Sequence, residues 1–181
     1  MTTFTIARVS GNSGAAGADV TFQNLTANSA DNSTVTPAIV MTLTGLVAGT
    51  WKYSYYTNAQ SAATGNGISY KVNFTGAVTA AKFKVRREYI GTLTTATNGI
   101  MDDVAGTNTG QIVEGFARDL NNTDLGPNTG AAVANSSTFN LIEGFAVTTT
   151  TGNIELSIRS EAAATAVRLM AGSNLILEKI A

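Results

Sequence analysis

Residues 67–74 read GISYKVNF. Ile68, Tyr70, Val72 and Phe74 hold one parity, and Ser69, Lys71 and Asn73 hold the other. Side chains of an extended chain point alternately to two faces. This run therefore suits a strand buried on one side and does not suit a helix, whose apolar residues recur every three to four positions. The same period returns in TWKYSYYTN (50–58), where Trp51, Tyr53 and Tyr55 share a face with Lys52, Ser54 and Tyr56 opposite. It returns again in NIELSIRS (153–160), where Ile154, Leu156 and Ile158 alternate with Glu155, Ser157 and Arg159. Clusters of Gly, Asn, Ser and Thr separate these runs. Short strands broken by turn chemistry at this spacing predict a sandwich or barrel.

Further strands are expected in VTFQNLT (20–26), in the stretch before Trp51, in AAKFKVRREYIG (80–91), and in QIVEGFAR (111–118) and NLIEGFAV (140–147). The stretches 92–110 and 119–137 read as irregular loops. EAAATAVRLM has helical propensity, but the AGSN turn and the LILEKI run after it favour strands. The expectation is an all-β chain, a β-sandwich or barrel of about eight to ten antiparallel strands with almost no helix. Residues 20–181 form that single domain. Residues 1–19 form an extended N-terminal arm, TTFTIARV, and a glycine-rich joint.

Several kinds of chemistry are missing from the residue list. The chain has no histidine and no cysteine, so the commonest general base, imidazole and thiolate metal ligands, and disulfides are all unavailable. Net charge is −1, which gives no long-range pull toward nucleic acid or an anionic membrane. Only 13% of residues are charged, so the polar surface must come from Thr, Asn, Ser and Gly. The N-terminus lacks the basic start and apolar run of a signal peptide. No stretch approaches the length of a membrane helix. The expected route is synthesis in a cytoplasm and release by some means other than a signal peptide, such as lysis. DDVAGTNTGQ (102–111) and DLNNTD (119–124) are rich in Asp and Asn but lack a full calcium-loop pattern, and turn formation explains them equally well. No catalytic residue, cofactor or metal is assigned. The sequons at Asn24, Asn32, Asn73, Asn121 and Asn135 are expected by chance in this composition.

Glu114 and Glu143 sit in a repeated tetrad, EGFA. A glycosidase needs two carboxylates within about 5–10 Å of each other. Strand phase favours a structural role instead. Ile112, Glu114 and Phe116 share one parity, and Leu141, Glu143 and Phe145 share the equivalent one, so each carboxylate is flanked by apolar side chains and needs a partner. Arg86, Arg87, Arg118, Arg159 and Arg168 are candidates. The basic run KFKVRRE (82–88) is the one charge concentration. It reads either as the solvated face of a guarded strand or as a grip on an acidic surface. Trp51, Tyr53, Tyr55 and Tyr56 read as core, with stacking on sugars as the alternative.

LTGLVAGTWKYSYYTN resembles the strand entry L-x-AGTY-x-x-x-Y of jelly-roll, TNF-like domains. LIEGFAVTTTTGNIELSIRSE and AVRLMAGSNLILEKI resemble their last three strands, including the V-x-x-GS-x-L element. Over about residues 42–180 the run is similar to small structural proteins of tailed bacteriophages. The resemblance implies a homotrimer packed about a three-fold axis and a virion structural protein that decorates or cements the capsid. Its partner would be the major capsid protein of the same particle, with no nucleic acid, membrane or cofactor involved. It would sit on the outer surface of the capsid. Phe4, Ile6, Arg8, Lys82, Lys84 and Arg86 are the candidates for partner contacts. The alternatives are the receptor-binding tip of a tail fibre, with a host surface glycan as partner, and a glycan-binding or glycan-cleaving module.

Overall fold

The computed structural model describes residues 4–9, 20–79, 84–92, 100–104, 107–116, 121–127 and 134–180. For 4–9, 84–92, 100–104 and 107–116 only the backbone and its pairing are described. Among the described residues thirteen strands run in chain order: β1 Phe4–Val9, β2 Val20–Leu25, β3 Ala38–Leu46, β4 Gly49–Ser61, β5 Ile68–Phe74, β6 Lys84–Thr92, β7 Ile100–Val104, β8 Thr107–Phe116, β9 Thr123–Pro127, β10 Ser137–Thr148, β11 Gly152–Ser160, β12 Val167–Leu169 and β13 Asn174–Lys179. No helix occurs among the described residues. The chain is a β-sandwich of two antiparallel sheets. The larger has nine strands, in the order β1-β2-β13-β4-β10-β6-β8-β7 with β12 also on β4; the smaller is β3-β11-β5-β9.

The alternating runs bury the faces their sequences predict. Trp51, Tyr53, Tyr55 and Ala59 of β4 point inward, as do Ile68, Tyr70, Val72 and Phe74 of β5 and Ile154, Leu156 and Ile158 of β11. Leu169, Leu175 and Leu177 complete the inner layer from the last two strands. EAAATAVRLM contains no helix: Val167–Leu169 pairs with β4. The two stretches read as loops need correcting. Residues 92–110 contain β7 and the start of β8, and 119–137 contains β9. Composition hid them because IMDDV and TDLGP are poor strand formers held by their neighbours. β9 lies at an edge of the small sheet, where Pro127 costs no ladder bond.

β4 is long enough to pair with β13 over its first half and with β12 over its second. Between those partners the chain turns at Ala171 and Gly172, with φ at Gly172 of +90°, a conformation that favours glycine. Ser173 mends the gap. Its Oγ accepts the Asn58 N–H at 3.0 Å, where a strand carbonyl would otherwise stand. The Gly-Ser of LMAGSNL (169–175), the stretch that resembles V-x-x-GS-x-L with Leu169 at its first position, thus has a local physical role: it breaks a strand without leaving the ladder open.

Two side-chain amides tie the architecture together. Asn121 accepts the Phe74 N–H at 2.7 Å and donates to the Phe74 carbonyl at 3.1 Å, imitating a strand partner at the end of β5. The buried Asn32 donates to the carbonyls of Thr36 and Ile158 at 2.9 Å, holding the 26–37 connection against β11. Both were sequons by pattern, and both amides are committed to the fold.

Candidate functional site: the outer face of the large sheet

The two sheets present unlike faces outward. On the small sheet the outward positions are mostly polar, with Ile39 of β3, in register with Ser157, as an exposed apolar exception. Lys71 and Asn73 lie in register with Ser157 and Glu155, and Asp124 lies opposite Lys71. Arg159 forms an ion pair with Asp124, and Asn73 donates to Glu155 at 2.9 Å. Charged, mutually satisfied residues of this kind are what a solvated face carries.

The large sheet is different. One row across it reads Phe22, Ile176, Ser54, Glu143 and Arg86; the next reads Asn24, Asn174, Tyr56, Leu141 and Glu88; a third reads Val20, Glu178, Lys52, Phe145 and Lys84. Phe22 is 36%, Phe145 38% and Phe139 46% exposed. Tyr56 and Phe139 meet with ring centroids 6.2 Å apart. Ile176, Tyr56 and Leu141 are half-buried between them. At about 4.8 Å between strands, the patch runs roughly 14 Å from β2 to β10. The three phenylalanines alone leave on the order of 250 Å² of aromatic surface in water. Patches of a few hundred Å² are the largest that ordinary monomers expose, and they are often functional.

The sequence held one signal for this face. β10 carries apolar residues on both parities, Ile142 and Ala146 inside and Phe139, Leu141 and Phe145 outside. A strand apolar on both sides belongs to a sheet covered on both sides. Phe22 was harder to foresee. In β2 the buried residues are Gln23 and Leu25, and the phenylalanine faces out. Gln23 is inside because its amide donates to the Thr42 carbonyl at 2.7 Å, tying β2 to the edge of the small sheet.

The expected site residues fall as follows. Trp51, Tyr53 and Tyr55 are core, and Trp51 Nε1 donates to the Val47 carbonyl at 3.0 Å, so they offer no platform for a sugar. Burial holds the Tyr53 and Tyr55 hydroxyls well above the usual tyrosine pKa, with smaller contributions from Tyr55 on the first and Glu155 on the second. Arg159 and Arg168 are engaged away from the EGFA glutamates, with Asp124 and, at 3.2 Å, with Asp31. Arg118 and Lys82 lie outside the described residues. Lys84 and Arg86 occupy outer-face register positions beside Phe145 and Glu143. Positions 4, 6 and 8 of β1 fall in register with Leu25, Gln23 and Thr21, on the inner side of the sheet.

Glu143 is in register with Arg86, whereas Glu114 is in register with Arg87. Arg86 and Arg87 are consecutive, so positions 143 and 114 belong to opposite faces of the sheet. The equal phase inferred from the repeated letters is therefore incorrect. A glycosidase pair flanks the scissile bond, so both carboxylates must face one substrate cleft, and positions on opposite faces of a sheet do not. It also supplies each with a same-chain arginine position directly across the ladder.

Among the described residues no cluster of three or more acidic side chains is placed to hold a metal ion. No protein-family model, no curated protein and no solved structure matches the chain.

Proposed function

We propose that the chain is a structural protein that works by self-assembly: a jelly-roll domain that forms a homotrimer and decorates or cements the head of a tailed bacteriophage. The observation that carries the assembly is the aromatic cluster on the outer face of the large sheet, Phe22, Phe139 and Phe145, set against a small sheet whose outward positions are mostly polar apart from Ile39. The apolar face is interspersed with charges of both signs, Lys52 beside Glu178 and Glu143 beside Arg86 in register. Copies packed about an axis can pair such charges across the contact. The jelly-roll reading draws support from the ladder pairs. β2 pairs with β13, β3 with β11, β4 with β10 and β5 with β9. These are the first-to-last, second-to-seventh, third-to-sixth and fourth-to-fifth pairs of one long hairpin wrapped into two sheets. β6, β7 and β8 are then an insertion between the fourth and fifth strands. The virion role rests on the sequence resemblance and on a mechanism that needs no chemistry, since a multivalent trimer gains avidity from contact area alone.

Light scattering during gel filtration tests the assembly. The wild-type protein is expected at three times 18.6 kDa, and Phe145→Lys or Phe139→Lys at 18.6 kDa with its circular dichroism retained. A wild-type monomer at micromolar concentration would remove the basis of the reading. Quantitative mass spectrometry of purified particles tests the role. Hundreds of copies per particle fit a cement, and a handful would move the assignment to a fibre tip.

A further inference from the structure

We infer that β1 is exchanged between copies: in the assembled protein the 4–9 strand of one subunit lies on the β2 edge of another, in the register it takes on its own β2. The inference rests on the self-assembly reading above and names how the copies are tied together.

Three features carry it. First, β1 ends the large sheet and β2 is its only ladder partner among the described strands, from Phe4 opposite Leu25 to Val9 opposite Val20. Moving it breaks one ladder and remakes the same one on an identical chain. Exchange of an identical element is therefore a low-cost route to assembly.

Second, the connection is far longer than the pairing needs. Val9 and Val20 face each other, so a two-residue turn would close the hairpin, yet residues 10–19, SGNSGAAGAD, lie between them. Ten residues can span on the order of 33 Å when extended. That exceeds the roughly 10 Å thickness of two stacked sheets and would reach the β2 edge of any copy whose Val20 lies within it.

Third, β2 requires a cover. VTFQNL has neither charge nor proline, and an edge strand of that kind is an open template for pairing. The other edges are guarded: β7 carries Asp102 and Asp103, β9 carries Asp124 and Pro127, and β3 is interrupted by two register shifts against β11. Every β2 must take a β1, and a closed ring of copies supplies one β1 for each β2. β2 also carries Phe22 of the apolar outer face, so a copy seated on that face arrives beside the edge that β1 covers.

The absence of native cysteine makes the test direct. Thr5 and Asn24 are register partners across the ladder. Thr5→Cys and Asn24→Cys are made on separate chains, one carrying a mass tag, then refolded together and oxidised. Exchange predicts a covalent dimer joining the two variants, and linked oligomers when both cysteines are on one chain. An assembly of trimeric mass in which the mixed variants stay unlinked, while the double variant closes within a single chain, overturns exchange and leaves self-assembly intact. A monomeric mass overturns both. A double variant that forms no disulfide at all refutes the β1–β2 register and the inference with it.

Discussion

Replacing Ser173 by Ala removes a hydroxyl and leaves the backbone turn untouched. That hydroxyl is fully buried. Its oxygen accepts the Asn58 N–H at 3.0 Å. Its single proton goes to the Met170 carbonyl at 2.9 Å or the Asn58 carbonyl at 3.2 Å. The Asn58 carbonyl is already satisfied by the Met170 N–H at 2.7 Å, so losing the proton there costs little. The Asn58 N–H points to the same side of β4, into the gap between β12 and β13, and loses its acceptor. Leaving a buried donor unpaired costs about 1–3 kcal/mol. With the loss concentrated on one amide, the expected destabilisation is about 2 kcal/mol, or roughly 4–8 °C in melting temperature for a chain of this length. Urea unfolding at fixed protein concentration measures the first quantity, with an unchanged slope showing that compactness is unaffected. Native-state hydrogen exchange locates it: amides that exchange by global unfolding should lose protection by about 30-fold, the ratio corresponding to that energy, while Asn58, left without its acceptor, should exchange by local opening and lose more. A destabilisation below about 0.5 kcal/mol with Asn58 protection unchanged would refute the claim that this hydroxyl completes the ladder.

Two further outcomes follow from the packing. Gly152→Ala should destabilise by about 1–3 kcal/mol in the same assay, because its Cβ would lie 2.4 Å from the Gly76 backbone nitrogen and 3.0 Å from Phe74 Cζ. A neutral substitution would show that the 76 and 152 turns are not in close contact. Two of the five tyrosines, Tyr53 and Tyr55, should resist ionisation, because their folded pKa values lie well above 10. Since their unfolded values are lower, the stability they contribute is complete below about pH 10 and is lost as pH rises beyond it. Absorbance at 295 nm should show these two titrating only with the unfolding transition, and a smooth titration of all five in the folded protein would contradict their burial.

How far the sequence revealed this molecule depends on which interactions set each feature. β4, β5 and β11 were legible because each carries a one-sided apolar pattern, and one buried face dictates side-chain phase without knowledge of the partner strand. β7 and β9 were not, because their pairing comes from strands distant in the chain while their own residues favour turns. β2 misleads for a related reason: the amide of Gln23 is needed inside to reach Thr42, so the phenylalanine beside it goes out. The EGFA pair shows where local reading ends. β8 and β10 both lie antiparallel to β6, one on each side, and so run parallel to each other with the same four letters. Had Glu114 and Glu143 both stood opposite one residue of β6, they would share a face. They stand opposite Arg87 and Arg86, and that single-residue offset puts them on opposite faces. No property of either tetrad encodes the offset; it is set by how β6 and β8 are joined and by the twelve-residue ladder that fixes β10 on β4. Identical letters on two strands therefore specify equivalent local chemistry, and only the register on the strand between them decides whether that chemistry meets.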